Sequence, residues 1–470
     1  MMPADDLIAS LNSLNEQGDC QAALDLAVPV LNEQTTDYAL WIGAGNAYYG
    51  LRRYEDAKQA YLKAAALNPD DVIALSNLAG FCFETGRYEE GLDICEQALK
   101  RQPDYANVLI HRGNILSSLN RHQEAETAYR LALKSIPDDP LVLFNLAYTL
   151  MISGKTDEAE RIYRQLLEIA PDDEEYLFAY ASFFEKREAF DKAAEIYLRL
   201  LKIKPDDTTH ITLSGCLYNL LLQEKTERVM ALTDEWLSLF PENPAALHMF
   251  ETLKPSREVK RASAAYVQEL FDAFADSFDS VLESLSYQAP ALIAAAVKEI
   301  GFSRPPETLD LGCGTGLCGA AMAANKIPLS TLTGVDLSSG MLEKAKQREL
   351  YTELCQEDII TFLPLYPARF DLVVSADVLT YLGDLSALFS GLSAAVKSGG
   401  RIVFTVSENT QSDEGYAMEP SGRFMHGKKY ILRELEKNGF KTVRIRSVEL
   451  RQELGKPVQG LLVVAKNIKT

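Results

Sequence analysis

Along the first half of the chain, apolar and small positions return in a fixed frame. Pro69, Pro103, Pro137, Pro171 and Pro205 stand 34 residues apart. Laid over them, the frame puts a small residue at Gly45, Ala79, Gly113, Ala147, Ala181 and Gly215, and a second small set at Ala57, Gly91, Ala125, Ala159 and Ala193. An aromatic recurs at Tyr61, Tyr129, Tyr163 and Tyr197. Small residues at fixed helical positions let two helices approach closely, so each period predicts a helix hairpin. Such a hairpin cannot bury its apolar face alone, and stacked copies form a superhelix with a concave surface. A degenerate unit fits residues 4–37, which makes about seven units over 4–243. In the last one, 208–243, Pro241 arrives two residues late and the small positions are lost, which suits a terminal repeat that caps the stack or docks on the next domain.

Residues 244–264 carry two prolines and a basic cluster and read as a linker. From residue 265 the pattern changes to a helical stretch with Phe271, Phe274 and Phe278 at three- and four-residue spacing. Then apolar runs of strand length alternate with helices: ETLDLG, a helix through Ala320–Asn325, LTGVDL, a helix from Ser339 to Arg348, a short strand near Leu354, FDLVVSA, a helix from Ser386 to Lys397, and RIVFTVS. That alternation predicts a parallel sheet covered on both faces. Ligands of such sheets bind at the carboxyl ends of the strands.

Composition sharpens this division. The formal net charge of −20 is unevenly placed: residues 1–250 hold 22 Lys+Arg against 40 Asp+Glu, and residues 251–470 hold 25 against 27. An acidic surface repels phosphate backbones, so nucleic acid is an unfavourable partner for the first half. The seven cysteines are scattered without a C-x-x-C pair, so neither a disulfide framework nor a zinc site is indicated, and no metal ligand set is expected. No basic segment precedes an apolar one at the N-terminus, and no apolar run approaches a membrane span. The expectation is a soluble protein of the reducing cytoplasm.

The candidate chemistry sits in LDLGCGTGLCG, Leu309 to Gly319. Gly314, Gly316 and Gly319 spell a dinucleotide fingerprint, whereas Gly312, Gly314 and Gly316 spell G-x-G-x-G. Three acids decide between them. Asp310, immediately before the loop, would repel a pyrophosphate but suits the ammonium and sulfonium charges of S-adenosylmethionine. Asp336 ends the next strand, placed to accept from ribose hydroxyls, with Leu337 beside it. Asp358, near the end of a third strand, can accept from an adenine amino group while Ile359 packs alongside.

On these residues the chain resembles two families. Trp41, Gly45, Tyr48, Ala57, Tyr61, Ala64 and Pro69 follow the tetratricopeptide repeat pattern. LDLGCGTGLCG, GVDLSSGMLEKA, FDLVVSADVLTYLGDL and the late GRFMH…Y segment resemble class I S-adenosylmethionine-dependent methyltransferases, and the combination resembles bacterial methyltransferases with an N-terminal tetratricopeptide array. The family's usual P-G-G before the fifth strand is Ser398-Gly399-Gly400 here. The resemblance implies an all-α superhelix followed by a Rossmann-like α/β domain, residues 265–470, with a seven-stranded sheet whose last strand is antiparallel.

It also implies cofactor binding by Asp310, Gly312, Gly314, Gly316, Asp336, Leu337, Asp358 and Ile359. EPSGRFMHGKKY, Glu419 to Tyr430, is expected to border the acceptor site, with Arg423 orienting an anion, His426 taking a proton and Tyr430 stacking; Tyr381 and Asp384 either face substrate or cap the next helix. Cys313 and Cys318 read as buried small residues. Three functions are compatible with these residues: a methyltransferase whose array recruits a protein substrate or partner through its concave face; a methyltransferase for an apolar or carboxylic metabolite, with Phe271 to Phe278 as a lid; or a binding module that senses cofactor. The acceptor itself is not named by these residues.

Overall fold

The computed structural model describes residues 4–31, 35–254, 259–453 and 455–469. They fall into two compact units, Met1–Phe183 and Phe184–Thr470.

In the first unit the 34-residue frame becomes helix hairpins, among them Tyr38–Gly50 with Tyr54–Leu67, and Ala106–Ser118 with His122–Ser135. The frame's small residue and its aromatic meet. A Cβ on Gly45 would lie 2.5 Å from the Tyr61 ring, and one on Gly113 would lie 2.5 Å from Tyr129. The same tyrosines are buried and donate to Asn46 (2.9 Å) and Asn114 (2.7 Å). These two hairpins thus close on a ring against bare backbone, with the ring's one polar atom satisfied.

The second unit begins with more helices, including Phe190–Ile203, Asp207–Leu222 and Thr226–Leu239. The segment expected as a linker departs from that expectation: Pro244–Leu253 is a helix with Asn243 capping Ala246 and Pro244 in its first turn, a start signal the prolines obscured. Residues 255–258 of that linker lie outside the described residues.

The sheet comes next: β1 Glu307–Leu311, β2 Thr331–Asp336, β3 Glu353–Gln356, β4 Phe370–Ser375, β5 Val396–Glu408, β6 Tyr416–Met418, β7 Phe424–His426, β8 Phe440–Glu453 and β9 Lys456–Asn467. Its main body runs β3-β2-β1-β4-β5-β9-β8, parallel up to β5, with β9 antiparallel to both neighbours. Among the described residues nine strands replace the expected seven, because β7 pairs with the end of β5 at Ser407 and Glu408 and β6 folds back on β7. Alternating residues feed two cores: Leu309, Leu311 and Val373 on one face, Leu332, Leu372 and Val374 with the helix Ala289–Ile300 on the other. The helix expected to reach Lys397 ends at Ala395, where β5 begins. No helix of the described residues is long and apolar enough to cross a membrane.

Candidate functional site

The loop after β1 answers the question of its glycines. Gly312, Gly314 and Gly316 have φ of 69°, 53° and 88°, whereas Gly319 lies inside the helix Leu317–Ala324. The register that needs glycine backbone is therefore G-x-G-x-G. Side chains are excluded for different reasons along it. A Cβ on Gly312 would meet Val378 at 2.4 Å; beside Gly314 only Phe278 comes near, at 3.9 Å, and the remaining space is a cavity.

That cavity, about 1030 Å³ with its open mouth, lies at the carboxyl ends of β1, β2 and β4. Gly312, Gly314, Asp336, Leu337, Asp358 and Ile359 line one part of it. Asp336 Oδ2 accepts from the Gly314 N–H at 2.9 Å and Oδ1 from the Ser338 N–H at 3.0 Å. Each oxygen keeps a further lone pair for a ligand donor. Burial raises the Asp336 pKa above the usual carboxylate value.

The other acids stand differently from expectation. Asp310 does not line the cavity: it is 1 % exposed behind the loop, its Oδ2 accepts from Tyr351 Oη at 2.6 Å, and Oδ1 has no partner. Burial pushes its carboxyl up to about 7, while the Tyr351 hydrogen bond opposes the rise. Asp310 therefore stands behind the loop, held by Tyr351. Gly316, likewise outside the cavity, opens the helix Leu317–Ala324 under Arg348 and Tyr351. Asp358 does line the cavity, but beyond the end of β3, where its Oδ1 caps Ile360 at 2.8 Å and its Oδ2 is held by Arg261.

Arg261 belongs to the supposed linker, and sequence reasoning missed it. The residues around it run beside the loop after β4: Ala262 donates to the Tyr381 carbonyl at 2.9 Å, and Gly383 to the Lys260 carbonyl at 2.8 Å. The helices Ala264–Phe274 and Phe278–Ser284 then form a wall over the loop. Asp272 accepts from Ser338 Oγ (2.6 Å) and the Gly340 N–H (3.0 Å), and Asp279 from Thr315 Oγ1 (2.5 Å). The spacing in FDAFADSFD was the available signal: Phe271 and Phe278 line the cavity while Asp272 and Asp279 fasten the segment. Phe271 stacks edge-on against Phe278 at 5.9 Å and Tyr381 at 5.4 Å.

Beyond the glycine loop the cavity is lined by Tyr287, Asp377, Tyr381, Arg423 and Arg451. Arg423, Glu453, Arg451 and Asp377 form a chain of ion pairs: Glu453 Oε1 accepts from Arg423 Nη1 at 2.6 Å and Arg451 Nε at 2.7 Å, and Arg451 holds Asp377. Asp377 and Arg451, far apart in sequence, carried no local signal. Asp384 caps Ser386 instead of facing the cavity.

His426 is the main correction. It is fully buried in β7, its Nε2 donates to the Leu382 carbonyl at 2.8 Å, and it does not line the cavity. Burial lowers its pKa to about 4, so the ring is neutral near pH 7. Tyr430 is also buried, its hydroxyl accepting from the Leu385 N–H at 2.8 Å. The expected loop is a hairpin whose strands bury these rings, leaving Arg423 as the expected residue that reaches the cavity. Cys313 and Cys318 are buried free thiols.

In comparison with known proteins, residues 309–402, which carry the glycine loop, match a methyltransferase domain. Residues 42–106 match the tetratricopeptide repeat, and 81–211 match the N-terminal tetratricopeptide region of Psidin. The malonyl-[acyl-carrier protein] O-methyltransferase of Pseudescherichia vulneris is 33% identical over 146 residues, 31% of this chain and 53% of that protein. The trans-aconitate 2-methyltransferase of Paracidovorax citrulli is 31% identical over 126 residues, 27% of this chain and 45% of that protein. The matched stretches thus span about half the length of these relatives. A crystal structure of an S-adenosylmethionine-dependent methyltransferase from Mesorhizobium loti is 22% identical, covering 37% of this chain and 96% of its own, with a TM-score of 0.30. The chain thus joins segments that match tetratricopeptide repeats to a segment that matches a methyltransferase domain, and the proteins similar to it include S-adenosylmethionine-dependent methyltransferases. The cavity fits that cofactor: bare backbone at Gly314, carboxylate lone pairs at Asp336, and apolar Leu337 and Ile359 lie along one wall.

Proposed function

We propose that this chain is a cytoplasmic S-adenosylmethionine-dependent methyltransferase whose repeat array recruits a protein substrate or partner. The observation that carries the reading is Asp336, a buried strand-end carboxylate tied to the Gly314 N–H and lining the cavity beside the glycine loop. Asp336 would accept from ribose hydroxyls, Gly312 and Gly314 would admit the cofactor against the backbone, and Leu337 and Ile359 would flank its base with Asp358 near the amino edge. Asp310 and Gly316 would shape the loop from outside. When bound, the cofactor supplies an electrophilic methyl group, and the protein's part is to align an acceptor with it. Such alignment can contribute roughly 7–11 kcal/mol through effective molarity. Phe271, Phe278 and Tyr381 would exclude water from the reacting end, while Arg423 would orient the acceptor.

A second reading, a metabolite methyltransferase, draws on the apolar wall of Phe271, Phe278 and Leu282 and on relatives named for trans-aconitate and malonyl-acyl-carrier protein. Incubation of the chain with methyl-labelled cofactor and fractionated cell extract separates the two. Label in protein supports recruitment and label in small molecules supports the second reading. No label in either, with cofactor bound, would leave a cofactor-sensing module.

A further inference from the structure

The last 34-residue frame differs from those before it. Positive φ closes successive hairpins at Gly18, Arg52, Gly86, Asn120, Gly154 and Glu188, each 34 residues after the last, but then at Glu224, two residues late. The surplus lies in the helix Asp207–Leu222, 16 residues long where its counterparts Tyr38–Gly50 and Ala106–Ser118 have 13. Gly215 keeps the frame's small residue, yet a Cβ there would meet nothing within 4 Å. Instead of a tyrosine ring, Gly215 faces a second cavity, together with Ile211, Tyr218, Phe274 and Arg423.

This cavity and the one beside the glycine loop share Leu285, Tyr381 and Arg423 as lining residues. Its polar walls are mostly satisfied. Glu185 accepts from Tyr197 Oη at 2.6 Å and from Cys216 Sγ, and Glu453 is taken up by Arg423 and Arg451. His248 bonds the Gly422 carbonyl through Nε2 at 3.0 Å, and burial lowers its pKa to about 4, so it adds no positive charge. Two groups are left over: His248 Nδ1, which has no partner, and Arg423, whose bond to Glu453 uses Nη1, whose side chain stays 32% exposed and which borders both cavities. A guanidinium with spare N–H groups at such a junction fits a carboxylate.

We propose that the second cavity is the acceptor site, that the helix Asp207–Leu222 forms its wall, and that the acceptor is a carboxylate on an elongated apolar body. The body lies along Ile211, Gly215 and Phe274, and Arg423 holds the carboxylate at the junction. A carboxylate oxygen is already a nucleophile at neutral pH, so the sealed position of His426 costs the reaction nothing. The oxygen lone pair forms the new bond to the methyl carbon, the carbon–sulfur bond breaks with its electron pair left on sulfur, and no proton moves. Negative carboxylate and positive sulfonium give a neutral ester and a neutral thioether. The inference rests on the methyltransferase reading above and specifies its substrate class.

The test uses the full chain saturated with S-adenosylhomocysteine and titrated with octanoate, octylamine, and suberate coupled through one carboxyl to a decapeptide. Octanoate or the suberyl peptide should bind and octylamine should not; the tighter of the two carboxylates identifies a free or a carrier-borne acceptor. Gly215→Leu, which fills the space the apolar body would occupy, and Arg423→Gln, which removes a charge-assisted contact, should each weaken that binding by about tenfold or more. Affinity for S-adenosylhomocysteine should be unchanged in Gly215→Leu, which keeps the test decisive if Arg423→Gln fails to fold. Octylamine binding in preference, or carboxylate binding indifferent to Gly215→Leu, overturns the inference while leaving the cofactor site standing. Failure of the parent chain to bind S-adenosylhomocysteine would overturn the methyltransferase reading and this inference with it.

Discussion

Gly113 and Gly215 occupy the same place in the 34-residue frame, and their surroundings are opposite. Gly113 is pressed by the Tyr129 ring, whereas Gly215 has open space where that ring would be. Arg423 and His426 make a similar pair within one hairpin: the first reaches the cavity and the second is sealed beneath it. In both pairs the residue types were visible and the outcome was not, because what surrounds a side chain is contributed by distant segments.

The comparison can be pressed experimentally, beginning with the largest effect. Trp236 is fully buried and donates to His210 Nδ1 at 2.9 Å, in a repeat where Thr233 holds the place of the earlier tyrosines. Trp236→Ala should destabilise the Phe184–Thr470 unit by roughly 3–5 kcal/mol. Urea unfolding of the full chain measures it, and a loss confined to a few tenths would mean that the last repeat has no core of its own.

His426 sharpens the second pair through pH. Its folded pKa of about 4 lies below the ordinary 6.5, so between those values the unfolded chain binds the extra proton and stability falls as pH falls. Relative to His426→Gln, the parent should lose about 1.4 kcal/mol per pH unit between pH 6.5 and 4.5. Parallel pH profiles for the two proteins would show that the ring is not sealed. In the same range the variant should bind S-adenosylhomocysteine like the parent.

Asp336→Ala, on the open side of the unit, should lower affinity for S-adenosylhomocysteine by tenfold or more, on the scale of about 1.5–3 kcal/mol for a charged acceptor. Calorimetric titration reads it, and unchanged affinity removes Asp336 from the ribose. Smallest is the direct contrast of the two glycines. Gly113→Leu should cost about 1–3 kcal/mol by overpacking against Tyr129. Gly215→Ala should instead stabilise its helix by about 0.5–1 kcal/mol. Thermal melts that moved in the same direction would erase the distinction between regular and terminal repeats.

Much of the fold was legible because it rests on local periodicity. The 34-residue frame, the alternation of strands and helices, and the choice of Gly312, Gly314 and Gly316 over Gly319 all derive from spacing and from where backbone must turn. The linker misled because Pro244 marks a helix start as readily as a break. The place of Asp310 before the loop says nothing of which face it takes; Tyr351, from beyond the helix Ser339–Gln347, draws it inward.

The sequence by itself determined two kinds of repeat, a hairpin unit and a strand–helix unit, together with a glycine loop and the acids near it. Those are set by short-range sterics and by hydrogen bonds between residues close in the chain. Only the tertiary structure decided that residues 260–262 run beside the loop after β4, that Arg451 and Asp377 meet, that His426 is enclosed, and that the last frame opens a cavity at Gly215. Each of these depends on which distant segment packs against the residue, and burial, charge and access are properties of that packing.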